Sequence, residues 1–356
     1  MVAVPVKRSG EQIAICKTAN RNPKKEPLMK NIFSQICSFE TLQAAFERVK
    51  ANAGCRGSDG VTITRFEQRL EHNLRMLRND LLHQHYHPFP LMRFPIPKRS
   101  GKGMRYLSVP TVRDRIAQTA VFLVTRPIFE AEFENVSHAY RPGKGVRTAL
   151  WDIKEWHKRG YIYAVDADIT SYFDSIPHDL LLQKLHTLFT NPPQLTIHHS
   201  QLAIDNSTPL LRLFEKWIKA EIYDGERIWT LEKGIPQGSV VSPYLANLFL
   251  DELDETLNEF GMKLVRYADD FLILCKSPEE AEDAIEITDM LLEDLQLDLN
   301  PLKTKIVSFD QGFKFLGAIL LNDGIYIPLP QKRKPSPPPK LPRPLTLKRY
   351  LELRNQ

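Results

Sequence analysis

Two adjacent carboxylates, Asp269 and Asp270, lie between the apolar runs 263–266 and 271–275, and a second acidic pair, Asp166 and Asp168, ends the run 161–168. Adjacent aspartates repel one another and resist burial unless a cation neutralises them, so a divalent-metal site fits the first pair. A solvated Asp-Asp turn is the alternative, Asp being a favoured turn residue. Side chains alternate along a strand, so Asp166 and Asp168 project to one side of it. One of the two can complete a metal site with Asp269 and Asp270, although Asp-Ala-Asp taken singly is a weak motif, common as a cap or turn. Two ions about 3.5–4 Å apart, bridged by such carboxylates, activate an attacking oxygen and stabilise a leaving one in phosphoryl transfer.

The elements that must position these acids are legible in outline. The runs around 269–270 read as a β-hairpin with the acids in its turn, and 161–168 as a strand. Apolar spacing predicts helices through most of 39–82, interrupted by a loop at 53–60, and a helix over 113–129. Residues 94–98 lead into a Gly-rich hairpin at 99–103 before 105–109. A helix follows Pro177, and one long helix is expected over 241–260 after the turn at Gly238-Ser239. Such alternation argues for a mixed α/β fold.

With 356 residues, 42% of them hydrophobic, the chain can bury a sizeable core. No apolar run approaches the roughly 20 residues needed to span a bilayer, and the N-terminus lacks a signal pattern, so a cytoplasmic protein with no membrane partner is expected. The four cysteines have no paired spacing, which predicts neither a zinc site nor a disulfide framework. The net charge of +5 is a property of the ends: residues 1–30 hold seven Lys/Arg against two Glu, and 331–356 hold eight against one, which leaves the body acidic. Residues 91–150 nevertheless concentrate eleven Lys/Arg against four acids, a surface suited to a phosphate backbone or triphosphate, or simply to solvation. Eight of the seventeen residues 328–344 are proline, which favours an extended linker. Beyond it, 345–355 has the spacing of one short helix that docks back, leads into a further domain, or is a disordered tail.

The ordered run of Asp168 to Asp174, Gly234-Ile235-Pro236-Gln237-Gly238 through Asn247, and Tyr267-Ala268-Asp269-Asp270 resembles the palm of bacterial reverse transcriptases of the group II intron lineage. Upstream, Ile96-Pro97-Lys98 to Arg105, 109–115 and Tyr140-Arg141-Pro142-Gly143-Lys144 look like that lineage's fingers; downstream, 300–305 and Phe315-Leu316-Gly317 look like its closing palm segments. The resemblance spans roughly residues 40 to 320 and implies a right-hand polymerase of fingers and palm in an α/β (α+β) fold, the palm an antiparallel sheet bearing the Tyr-Ala-Asp-Asp hairpin. It divides the chain into a flexible basic extension (1–30), fingers (31–160), palm (161–327) and a proline-rich tail (328–356). It implies RNA-directed DNA polymerase activity with two Mg²⁺ ions, Mn²⁺ being a possible substitute, at Asp168, Ile169, Asp269 and Asp270, with Asp166 a neighbour rather than a ligand. Lys98 and Arg105 would hold the incoming dNTP, Phe173 would abut its sugar and reject a 2′-hydroxyl, and Gln237 and Gly238 would contact template and nucleotide. Lys303 matches a lysine that protonates pyrophosphate, with Lys305 able to substitute; Arg141, Phe315, Leu316 and Gly317 would meet primer or template. The expected partners are an RNA template and a DNA or RNA primer.

Departures from the family pattern narrow the biology. Only 39 residues follow Gly317, so a thumb is expected to be reduced or absent. The Gln-Gly-x-x-x-Ser-Pro loop is unlike that of diversity-generating enzymes, and the Val-Thr-Gly of retron enzymes is missing. What remains looks like the CRISPR-associated branch, in which such an enzyme works with a spacer integrase to acquire spacers from RNA. A domesticated reverse transcriptase outside CRISPR (intron-derived, retron-like or phage-defence) and an inactive nucleic-acid scaffold are the alternatives. An RNA-dependent RNA polymerase would share the palm but usually carries Gly-Asp-Asp and a small residue at the position of Phe173.

Overall fold

A computed structural model of the chain describes residues 32–97, 103–191, 207–328 and 339–355. The basic N-terminal extension, the Gly-rich hairpin tip with Lys98 and most of the proline-rich segment fall outside those residues.

A four-stranded antiparallel sheet forms the centre. Its order is Lys263–Tyr267, Asp270–Cys275, Tyr163–Asp168 and Lys305–Ser308. The apolar runs are nearly continuous because both faces are covered. Leu264, Val165, Phe271 and Ile273 face the main core beneath the Pro278–Asp294 helix, whereas Ala164, Val265, Leu272 and Leu274 face a second core beneath the Val146–Lys158 helix. This alternation sends Asp166 and Asp168 to the same face as Ala164. A small sheet of Phe313–Phe315, Ala318–Leu321 and Gly324–Tyr326 closes the second core.

A second four-stranded sheet flanks the first. Leu91–Pro97 pairs antiparallel with Met104–Val109 and parallel with Glu221–Tyr223, which pairs antiparallel with Ile228–Thr230. Helices Phe39–Ala51, Leu70–Leu82 and Val112–Glu132 pack into the main core beside it. Phe39–Ala51 follows its sequence closely: Ser38 Oγ caps it by accepting from Thr41 N at 3.1 Å, and Leu42, Ala45, Phe46 and Val49 are buried at helical spacing.

One expectation changes. The single helix predicted over 241–260 is two, Ser242–Phe249 and Asp251–Glu259, bent at Leu250 (φ −91°, ψ 1°). Neither Gly nor Pro marks the bend; long-range bonds do, since Asp251 Oδ1 accepts from Glu134 N at 3.2 Å and Asp254 pairs with Arg266. Of the readings left open for 345–355, the structure shows this segment docked back on the protein. Residues 339–346 run along the outer sheet, Leu345 N donating to Ser58 O and Arg56 Nη2 to Pro342 O, both at 2.7 Å. The Leu347–Arg354 helix then packs nearby with Leu353 buried.

Candidate active site

Tyr267 pairs with Asp270, so the hairpin turn is Ala268-Asp269 alone, and Ala268 takes a left-handed φ of 60°. For a non-glycine residue this costs on the order of 1–3 kcal/mol and must be imposed by surrounding structure. Arg266, fully buried, imposes it: Nη1 donates to Ala268 O at 3.1 Å and to Asn247 Oδ1 at 3.3 Å. Its Nε and Nη2 grip both oxygens of Asp254, which is equally buried. The Arg266 guanidinium, which burial alone would push down, is held above its usual range by Asp254. The same residue's main chain joins the segment before Tyr140, with Arg266 N donating to Val136 O and His138 N to Arg266 O, each at 2.9 Å.

Asp168 stands directly opposite Asp270 in the strand register, with Asp269 in the adjoining turn. Asn300 anchors Asp168 twice, its N donating to Asp168 O at 2.8 Å and its Nδ2 to Asp168 Oδ2 at 3.1 Å. The turn begun by Asn300 brings Lys303 Nζ to Asp168 Oδ2 at 2.7 Å, while Lys305 Nζ lies 3.7 Å from Asp166 Oδ2. The two lysines thus attend different acids. Although Asp270 is exposed at the start of its strand, partial desolvation pushes its carboxyl up to about 6, with Asp269 and Asp168 adding repulsion. Burial likewise raises Asp269, reinforced by Asp168, and the hydrogen bond to Asp168 raises Lys303. Hard oxygen donors that destabilise one another when charged suit Mg²⁺ or Mn²⁺. Among the described residues no three His, Cys, Asp or Glu side chains are drawn into a closed ion-holding group, and the Lys303 ammonium donates to Asp168 Oδ2.

A cleft of about 400 Å³ opens over these acids and is lined by Arg105, Phe173, Gln237, Asp168, Asp269 and Lys303, among others. Ile169 reaches it as well, but its side chain is buried, so its main chain is what remains available. Phe173 forms the wall beyond Asp168, its carbonyl accepting from Ile235 N at 2.7 Å, which ties it to the 234–239 loop. That loop is stitched to the outer sheet by Ser108 N donating to Gln237 O at 2.7 Å. Gly238 (φ 112°) has no alternative: a Cβ there would lie 2.9 Å from both Ser108 O and Leu107 Cδ1.

Other expected site residues lie elsewhere. Lys98 is outside the described residues. Arg141, expected to meet primer or template, is corrected to an internal strut: its guanidinium is buried and spent on Glu130 and the carbonyls of Phe133, Glu134 and Ser137. Phe315 is buried in the second core, and Leu316 (φ 48°) and Gly317 (φ 83°) form a tight hairpin turn away from the cleft lining. Arg266, Asp254 and the anchoring role of Asn300 were not anticipated. A charge inside an apolar strand run was the available signal for Arg266. Tyr140 was also missed as a neighbour of the acids; burial and then Asp269 raise its hydroxyl.

Breaking a buried ion pair strands one charge. Asp254→Ala is expected to cost about 3–5 kcal/mol in urea unfolding, and the double change Arg266→Met with Asp254→Leu to recover much of it; a loss below about 1 kcal/mol for the single variant would contradict the role of the pair. For Asp270, whose folded carboxyl is raised from 3.8 to about 6, the sign is that the metal-free protein loses stability as pH climbs through that interval. Asp270→Asn should therefore melt above wild type at pH 7.5 without metal and level with it near pH 4, and Mg²⁺ should narrow the gap. Identical melting at both pH values would refute the repulsion.

Comparison with known proteins gives the site its context. The sequence pattern of the family described as reverse transcriptase (RNA-dependent DNA polymerase) matches residues 96–320. Protein YkfC of Escherichia coli strain K12 is 32% identical over 74% of this chain and 75% of its own length. The group II intron-encoded protein LtrA of Lactococcus lactis subsp. cremoris is 27% identical over 71% of this chain and 40% of its own. Among solved structures, a chain of a partial Cas6-RT-Cas1–Cas2 complex aligns at 25% identity and a TM-score of 0.43, over 75% of this chain and 42% of that one. This chain thus spans less than half of LtrA and of the Cas6-RT-Cas1 chain. The family match covers both acidic segments and most of the residues that line the cleft, and the chain belongs to the reverse transcriptase (RNA-dependent DNA polymerase) family.

Proposed function

We propose that the protein extends a DNA or RNA primer with deoxynucleotides on an RNA template, using the cleft over Asp168 and Asp269. The observation that carries this reading is the convergence of Arg105, Phe173, Gln237, Asp168, Asp269 and Lys303 on one cleft from segments far apart in sequence. Asp168, Asp269 and Asp270, with the Ile169 main chain, would hold two Mg²⁺ or Mn²⁺ ions, which lower the pKa of a primer 3′-hydroxyl and neutralise triphosphate charge.

The chain's own residues do the positioning. Arg105, with Lys98, holds triphosphate oxygens, Arg by paired contacts and Lys as a point charge. Phe173 fills the space where a 2′-hydroxyl would sit, and Gly238 lets main chain approach the nucleotide closely. Lys303, kept protonated by Asp168, is the donor for the leaving pyrophosphate oxygen, Lys305 being engaged at Asp166. In this reading residues 31–160 are fingers and 161–327 palm. The cellular setting we favour is spacer acquisition from RNA beside a CRISPR spacer integrase in the cytoplasm, with the basic, proline-rich tail as the docking segment. Similarity to LtrA supports an intron-derived enzyme with another role as the second reading. Co-purification with a spacer integrase separates the two.

Purified protein should extend a DNA primer on RNA with dNTPs and Mg²⁺ or Mn²⁺, and Asp269→Ala should lower the rate at least about 10²–10³-fold; undiminished extension by that variant would sink the site. Phe173→Ala should admit ribonucleotides, discrimination falling roughly tenfold to a hundredfold. Unchanged discrimination would remove Phe173 from the sugar gate.

A further inference from the structure

The outer sheet continues past the catalytic cleft into a second, unassigned cavity of about 520 Å³. There the Arg93 guanidinium lies 4.6 Å from the Tyr106 ring centre and 5.7 Å from that of Trp229, and Arg227 lies 4.8 Å from Trp229 on the neighbouring hairpin. The strand register explains the first pairing, since Tyr106 opposes Pro95, two residues from Arg93 on the same face. Cations alternating with aromatic faces hold one another by cation–π attraction and are rigid without a covering layer. Aromatic rings that served only to pack would be covered, yet Tyr106 is 52% exposed.

The docked chain end supplies the far wall. Lys340 and Pro342 line the cavity, held by the bonds of Arg56 to Pro342 O and Leu345 N to Ser58 O, and farther on by Tyr350 Oη donating to a carboxylate oxygen of Glu221 at 2.9 Å. This wall lies beyond residue 320, where the family match ends. Among the described residues the one carboxylate in the lining, Asp224, is engaged by Arg227 Nε at 3.2 Å, leaving a net positive rim. Arg93 and Tyr106 also line the catalytic cleft, so the two spaces share a wall.

Flat aromatic faces edged by cations are the chemistry of single-stranded nucleic acid: bases stack whatever their sequence, and phosphates meet the charges. We propose that this cavity holds unpaired nucleotides of the RNA template ahead of the catalytic cleft, bases stacking on Tyr106 and Trp229 and phosphates facing Arg93, Arg227 and Lys340. The docked tail completes the site, so its position and template capture are coupled. The proposal rests on the reverse-transcriptase reading only in naming the strand as template.

The test measures binding of the full-length protein, by fluorescence anisotropy without dNTPs, to RNA–DNA duplexes that are blunt or carry a six-nucleotide 5′ RNA overhang. The overhang should tighten wild-type binding about tenfold or more. Trp229→Leu, which keeps apolar packing against Leu91 and Ile222, should lose most of that gain while leaving blunt-duplex binding unchanged. Lys340→Glu, at an exposed position, should also reduce the gain and the salt dependence of overhang binding. Equal overhang gain in wild type and both variants, at unchanged melting temperature, would overturn the proposal, as would an equal loss on blunt and overhung duplexes. Asp269→Ala separates this from the functional reading: it should keep the overhang gain while abolishing extension. A wild type that shows the gain but extends no primer would refute the polymerase reading and leave the stacking site standing.

Discussion

The buried pair of Arg266 and Asp254 is the constraint on which the rest of the site depends. One guanidinium spends its donors on a bidentate carboxylate, on Asn247 and on the carbonyl of Ala268, so the left-handed turn carrying Asp269 rests on a charge that cannot relax into water. Asn247 in turn donates to Ala139 O at 2.9 Å, next to Tyr140, itself left-handed at φ 62°. Ser171, just past Asp168, is left-handed as well at φ 47°. Three strained non-glycine residues around one group of acids are maintained because the surrounding hydrogen bonds over-determine them. The bend at Leu250 belongs to the same arrangement, since it lies between the helix bearing Asn247 and the helix bearing Asp254.

Position and charge are supplied by different parts of the molecule. The central sheet, covered on both faces, is the rigid part and holds Asp168 against Asp270. The cations that line the cleft come from outside it: Lys303 from an Asn300 turn anchored to Asp168 itself, and Arg105 from the outer sheet. The 234–239 loop joins the two through the bond between Ser108 N and Gln237 O. The close approach of loop and strand leaves no room for a side chain at Gly238. This division suits phosphoryl transfer, where positioning and preorganised charge do most of what a protein can contribute.

Charge is distributed unevenly for the same reason. The acids are gathered at the end of the central sheet, and the arginines and aromatics of the outer sheet extend from them toward the docked chain end. A polyanionic strand laid along that path meets cations first and reaches the acids only where counter-charge is available. Arg141 shows why a count of basic residues in 91–150 overstates this surface: its charge is turned inward to hold the segment before Tyr140.

By itself the sequence determined the local elements and the types of residue that do chemistry. Short apolar runs defined the central strands, helical spacing defined Phe39–Ala51, and adjacent acids announced a cation problem. Those signals are local, because apolar runs and helical spacing depend on residues a few positions apart. Tertiary structure alone decided what those acids face. Lys303 meets Asp168 and Lys305 meets Asp166 because an Asn300 turn sets their register, and nothing in their spacing distinguishes them. The helix bend at Leu250 and the return of residues 339–355 to the outer sheet likewise depend on hydrogen bonds between segments distant in sequence. Such bonds leave no periodic trace in the chain, since each partner carries only an ordinary polar side chain or main-chain group until folding brings the two together.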